Sequence, residues 1–278
     1  MPTMSARRVG AAVVLLRGGC RALVAPRVAS ALRLLSSRSA APETGIASLE
    51  DGSPGITLFG TRAIAEGAAT PELTVFWLHG LGDTAQGWAG AFGGGAIEMP
   101  TANFKVVLPT ADTKPVTLNG GYAMPSWFDI YGLSAEAEVD EDGILAAVAD
   151  LDALVAREAE ETTVVVAGFS QGGAVALSAG LRSPRIAAVV GASTWLPLAE
   201  TYPAALADRV APPPVALFHG DSDDVVQTAW GEETRDVLVT LGFDPAWRTY
   251  PGMAHSACEA EFADVSAFLA SVPLSSPQ

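Results

Sequence analysis

Val164-Val165-Val166-Ala167-Gly168-Phe169-Ser170-Gln171-Gly172-Gly173 decides the fold of this chain. An apolar run of β-branched residues reads as a buried strand. The small residues from Gly173 to Leu181 read as a helix, and G-x-S-x-G joins the two. Strand, tight turn, helix is the layout of a nucleophile elbow. Glycines stand where any Cβ would clash, and the serine hydroxyl is lifted clear at the end of a sheet. The competing reading of the pentapeptide is a glycine-rich turn whose serine caps the helix. Short motifs mislead, so the residues around the turn must decide.

The strands and helices on either side agree with the elbow. Apolar runs recur at Leu73 to Leu78, Phe104 to Leu108, Ile186 to Val190 and Val215 to Phe218, with a shorter one at Trp247 to Tyr250. They are continuous rather than alternating, as expected of parallel strands covered on both faces. Ile144, Val148, Leu151 and Val155 step at helical spacing behind Asp140, Glu141 and Asp142, acids that suit a helix N-terminus. Val225 to Leu241 and Glu259 to Leu269 read as two more helices. Strands alternating with helices imply an α/β fold with a mostly parallel central sheet and helices on both faces. Thr110 to Glu138 has little periodicity, and a long irregular segment in a compact domain reads as a functional loop.

Composition sets the bounds. The chain has 278 residues, 49% of them hydrophobic, enough for one large domain and its core. Residues 1–42 hold seven arginines and no Asp or Glu; the rest carries nine basic residues against 31 acidic, a formal charge of −22. An Arg-rich, Ser- and Ala-rich, acid-free start resembles an organelle transit peptide, mitochondrial by preference, with plastid, a cytoplasmic tail or a secretory signal as the other readings. Residues 43–55 read as a linker, 56–272 as the domain and 273–278 as a tail. The acidic body argues against nucleic acid as a partner. No apolar run is long enough to make a transmembrane segment. Of two cysteines, Cys20 lies in the expected presequence, which leaves Cys258 alone. No Cys/His cluster has metal-ligand spacing, so no metal or cofactor is expected.

A serine nucleophile needs a base, and only three histidines exist: His79, His219 and His255. The first two end strands. In a fold of this kind the order along the chain is nucleophile, acid, base, and only His255 follows both Ser170 and a plausible acid. Asp221, Asp223 and Asp224 follow the strand ending at Phe218, and spacing alone does not choose among them. An oxyanion hole needs two preorganised N–H donors. One is expected from Gln171, next to the nucleophile, and the other from the glycine loop His79 to Thr84.

Six blocks then resemble one family in order and spacing: HGLGDT (79–84), MPSWFDI (124–130), GFSQGG (168–173), WLPL (195–198), HGDSD (219–223) and GMAHS (252–256). The family is that of the acyl-protein thioesterases and lysophospholipases, and the resemblance covers about residues 56–270. It implies an α/β-hydrolase fold and a Ser170–Asp223–His255 triad. The oxyanion donors would be the backbone amides of Leu81 and Gln171. The implied substrates are long-chain acyl thioesters on protein cysteines, lysophospholipids and small carboxylic esters. The sequence departs from the family where Asp224 and Gln227 replace two prolines, which puts a second carboxylate beside Asp223. An acyl chain needs an apolar groove, and Trp127, Phe128, Trp195, Leu196 and Met253 are its candidate walls. A short-chain carboxylesterase is the nearer alternative. A non-catalytic ligand-binding scaffold is the more distant one, against which the complete triad argues.

Overall fold

The computed structural model describes residues 43–45, 49, 52–60, 70–133, 137–208 and 210–274. The expected presequence and the end of the expected tail lie outside them. The strands are β1 (Glu43–Gly45), β2 (Gly55–Phe59), β3 (Leu73–Leu78), β4 (Phe104–Pro109), β5 (Thr113–Val116), β6 (Tyr122–Pro125), β7 (Thr163–Phe169), β8 (Ala188–Ala192), β9 (Val215–Gly220) and β10 (Ala246–Tyr250). The helices are α1 (Ala85–Gly93), α2 (Glu141–Val155), α3 (Gln171–Arg182), α4 (Thr228–Thr240) and α5 (Glu259–Ser271).

Eight strands form one sheet in the order β1-β2-β4-β3-β7-β8-β9-β10. From β4 to β10 every pairing is parallel; β1 and β2 add an antiparallel edge. The continuous apolar runs are explained by two cores. On β7, Val164 and Val166 pack with α2, α3 and α4, while Val165 and Ala167 pack on the opposite face with α1 and α5. On β3, Phe76 and Leu78 take the first side and Val75 and Trp77 the second. A central strand with a core on each face has no polar side to show.

The antiparallel edge corrects the expected linker. Glu43 pairs with Phe59 and Gly45 with Thr57, and Leu49 is buried, so part of 43–55 belongs to the sheet and core. The irregular stretch after Thr110 contains the hairpin β5–β6, hydrogen-bonded apart from the main sheet. Helix α2 starts where its acids pointed: the Asp140 carboxylate accepts the Gly143 N–H at 3.0 Å and so caps it. Helix α4 begins three residues later than expected, because the N–H groups of Val225 and Val226 both donate to Asp223 Oδ1.

On α5, Glu261 is 1% exposed. Burial pushes its pKa up from 4.5 to about 8, opposed by the Cys258 backbone and helped by Asp264. A raised folded-state pKa gives stability that is complete below the unfolded value and lost as pH rises towards about 8. Glu261→Gln should therefore melt close to the unaltered chain at about pH 4.5 and about 5 °C or more above it at about pH 8.5, by calorimetry.

Candidate active site

The parallel strands deliver the site at their C-terminal ends, where α/β sheets place their ligands. Ser170 follows β7, the acidic turn follows β9, and the His255 loop follows β10. Ser170 sits at φ 54°, a left-handed conformation that a side chain adopts only under constraint. The constraint is the elbow. A Cβ on Gly168 would lie 2.4 Å from the Gly172 carbonyl carbon, and one on Gly172 would lie 2.3 Å from the Leu78 carbonyl oxygen. No larger residue fits at either position, which is why the motif is spaced as it is.

His255 Nε2 lies 2.9 Å from Ser170 Oγ, and His255 Nδ1 lies 2.7 Å from Asp223 Oδ2. The ring is held between them, with Phe169 packed at 4.8 Å between centroids. The three carboxylates after β9 separate cleanly. Asp221 accepts the Gly252 N–H at 2.7 Å and so braces the His255 loop. Asp224 points to solvent. Asp223 is buried; its second oxygen accepts the Val225 and Val226 N–H groups at 3.0 and 2.9 Å. Burial alone would raise the Asp223 pKa. Hydrogen bonds from His219 and His255, the His255 charge and the Val225 N–H outweigh it and hold the group well below the usual carboxylate range. The carboxylate is thus charged at every pH at which His255 can act as a base.

The glycine loop after β3 packs directly on the elbow: a Cβ on Gly80 would lie 3.4 Å from that of Ser170. The loop is pinned where Gly82 N–H donates to the Pro125 carbonyl at 2.8 Å. Leu81 lies within this loop, between Gly80 and Gly82. Gln171 opens α3, and a first-turn N–H has no partner within its own helix.

The Gln171 side chain has a second task that the sequence did not reveal. Its Oε1 accepts the Trp127 N–H at 3.1 Å, and its Nε2 donates to the Phe128 carbonyl at 2.7 Å and to Ser126 Oγ at 3.1 Å. One buried amide thus fastens the MPSWF loop to the elbow. Gln171→Leu orphans both backbone groups at about 1–3 kcal/mol each. The expected result is a melting temperature lower by at least about 4 °C in a thermal scan.

His79 is a brace as well. Its Nδ1–H donates to the Gly80 carbonyl at 2.7 Å, and its Nε2 accepts the Ala111 N–H at 3.0 Å. Both nitrogens are engaged, and burial lowers its pKa.

A family model described as phospholipase/carboxylesterase matches residues 60–272. The chain belongs to that family. Acyl-protein thioesterase 1 of Gibberella zeae is 38% identical over 218 residues, covering 73% of this chain and 91% of that protein. Acyl-protein thioesterase 1 of Mycosarcoma maydis is 38% identical over 73% of this chain and 92% of its own length. The crystal structure of Zea mays acyl-protein thioesterase 2 superposes with a TM-score of 0.69 at 28% identity, covering 78% of this chain and 97% of that one.

In this family member, a cavity of about 290 Å³ opens between residues 128–133 and 137–140, the WLPL segment and α4. Of the five candidate groove residues, Phe128, Trp195 and Leu196 line it; Trp127 and Met253 do not. Trp127 faces His79 at 5.0 Å and donates its indole N–H to the His79 carbonyl at 2.8 Å, so it steadies the glycine loop His79 to Thr84. Met253, in the same loop as His255, is buried in the α1/α5 core. The sequence reading missed Ile130, Leu133 and Trp230 in the wall. On α4, Trp230 sits one turn before the buried Thr234, whose hydroxyl accepts the Leu196 N–H at 2.8 Å, a tertiary contact that the sequence does not announce.

Proposed function

We propose that this protein is a serine hydrolase that removes long-chain fatty acyl groups, from S-acylated protein cysteines first and from lysophospholipids and carboxylic esters as well. The observation that carries the reading is the unbroken Ser170–His255–Asp223 relay, with hydrogen bonds of 2.9 and 2.7 Å, at the mouth of two packed glycine loops. The relatives named acyl-protein thioesterase supply the acyl class. The cavity whose wall includes Phe128, Ile130, Trp195 and Leu196, together with the acids Asp129, Glu138, Asp140, Glu200 and Glu233, is the candidate lodging for the chain.

The chemistry is two-step acyl transfer. Ser170 Oγ–H donates to His255 Nε2, whose other nitrogen is tied to Asp223, so the lone pair faces the nucleophile. Oγ attacks the carbonyl carbon while His255 takes the proton. The negative oxygen of the tetrahedral intermediate is met by the N–H groups of Leu81 and Gln171. The intermediate collapses, the thiolate leaves, and His255 returns the proton to it. Water, deprotonated by His255, then attacks the acyl-enzyme carbonyl; the second tetrahedral intermediate breaks the bond to Ser170 Oγ, which takes the proton back from His255, and the fatty acid leaves. A thiolate departs readily, so amide cleavage gains little from the same site.

The modest cavity favours a second reading, a short-chain carboxylesterase, since it lies at the low end of the range for small-molecule sites. A panel of palmitoyl-cysteine peptide, lysophosphatidylcholine and acetyl to palmitoyl esters separates the two. Catalytic efficiency rising with chain length supports the thioesterase; a steep fall beyond butyryl overturns it.

A further inference from the structure

His219 is the penultimate residue of β9, is 1% exposed, and has no part in the relay described above. Its Nε2 lies 2.8 Å from the Val226 carbonyl oxygen, an acceptor, so Nε2 carries the proton. The same nitrogen is 3.5 Å from Asp223 Oδ2, the oxygen that takes the His255 hydrogen bond. Val226 in turn donates its N–H to Asp223 Oδ1 at 2.9 Å. His219 therefore acts on the carboxylate by two routes: its Nε2–H, hydrogen-bonded to the Val226 carbonyl, lies 3.5 Å from Oδ2, within electrostatic reach but beyond a good hydrogen bond, and it holds the residue that binds the other oxygen. The fold makes room for this ring. A Cβ on Gly231 of α4 would lie 2.5 Å from His219 Nδ1, and Trp247 of β10 packs at 6.1 Å between ring centroids. The charged groups around the ring are Asp223 on its own turn and, beyond Trp247, Arg235, which lies 5.6 Å from that indole and pairs with Asp236. His255 holds the same Asp223 oxygen, Oδ2, at 2.7 Å.

We infer that His219 is a positioning residue: it clamps the 223–226 turn and shares the Asp223 carboxylate with His255, tempering how strongly Asp223 holds the His255 proton. The inference rests on the triad reading. A carboxylate that spends part of its charge on a second donor is a weaker partner for an imidazolium. Removing that donor strengthens the Asp223–His255 pair, so His255 keeps its proton to higher pH. The base must be neutral to act, so the acid limb of the pH–rate profile moves up.

The test compares His219→Phe, which keeps a ring and loses the N–H, with His219→Gln, whose amide carries a donor at similar reach. Both are made in the full chain and assayed on a p-nitrophenyl ester from about pH 5 to 9. For His219→Phe the acid limb of kcat/KM should rise by roughly half to one pH unit, with kcat down about tenfold and KM within about twofold. His219→Gln should bring the limb back to within about 0.2 units of the unaltered enzyme. An unmoved limb in the Phe variant, or an equal shift in the Gln variant, overturns the inference. If His219→Phe fails to fold, histidine-labelled nitrogen NMR on the unmutated protein decides: His219 must be the Nε2–H tautomer, and an Nδ1–H tautomer overturns the inference. Activity surviving in Ser170→Ala would instead sink the triad reading, a separate and distinguishable failure.

Discussion

Ser170→Ala is expected to lower ester and thioester hydrolysis by about four to six orders of magnitude while leaving the fold intact. The substituted side chain has no oxygen to place 2.9 Å from His255 Nε2, so no acyl-enzyme forms and a fluorophosphonate probe finds nothing to label. A second substitution separates chemistry from strain. Ser170 is held at φ 54°, and alanine at the same place carries the same Cβ and the same cost. Glycine removes the Cβ. Ser170→Gly should be as inactive as Ser170→Ala and yet more stable by about 1 kcal/mol, a melting temperature about 2–4 °C higher. Activity above about one part in a thousand in either variant would mean that Ser170 is not the nucleophile.

The same strain explains why the centre of the fold was legible in the chain itself. Gly168 and Gly172 are needed because each sits against backbone, a constraint written directly into residue identity. The β7 and β3 runs were legible for a similar reason: two cores leave the strand no polar face. What resisted reading was set by tertiary contacts between distant segments. Trp127 and Phe128 are neighbours in sequence and equally aromatic, but one turns to His79 and the other to the cavity. The hairpin β5–β6 packs by its own pairing, without an apolar run to announce it. Helix α4 begins late because two of its would-be first-turn amides are bound to Asp223. The residues that hold the site in place, His79, Ser126 and the Gln171 side chain, are buried polar groups, each with a partner 32 to 45 residues away.

Asp223→Asn should reduce kcat by about 10³- to 10⁴-fold, whereas Asp224→Asn should leave it within about twofold. The two acids are adjacent in the chain and the sequence alone cannot rank them; their surroundings differ completely. Asp224 is exposed, while Asp223 is buried with four donors around its two oxygens. An amide at position 223 keeps the shape and reverses the hydrogen bond. Its NH₂ group can donate to His255 Nδ1, which then gives up its own proton to Nε2. The nitrogen facing Ser170 Oγ thereby becomes a donor and cannot accept the serine proton, so the loss appears in kcat rather than in substrate binding. Stability carries its own signature. The Asp223 pKa is depressed in the folded chain, so its contribution is present above the unfolded value of about 3.9 and is lost only as pH falls through the folded one. The Asp223→Asn variant should therefore melt below the unaltered chain at neutral pH, and the two should converge as the pH is taken down towards the acid limit. If Asp224→Asn proves the more damaging change, the buried turn is not the one that orients His255.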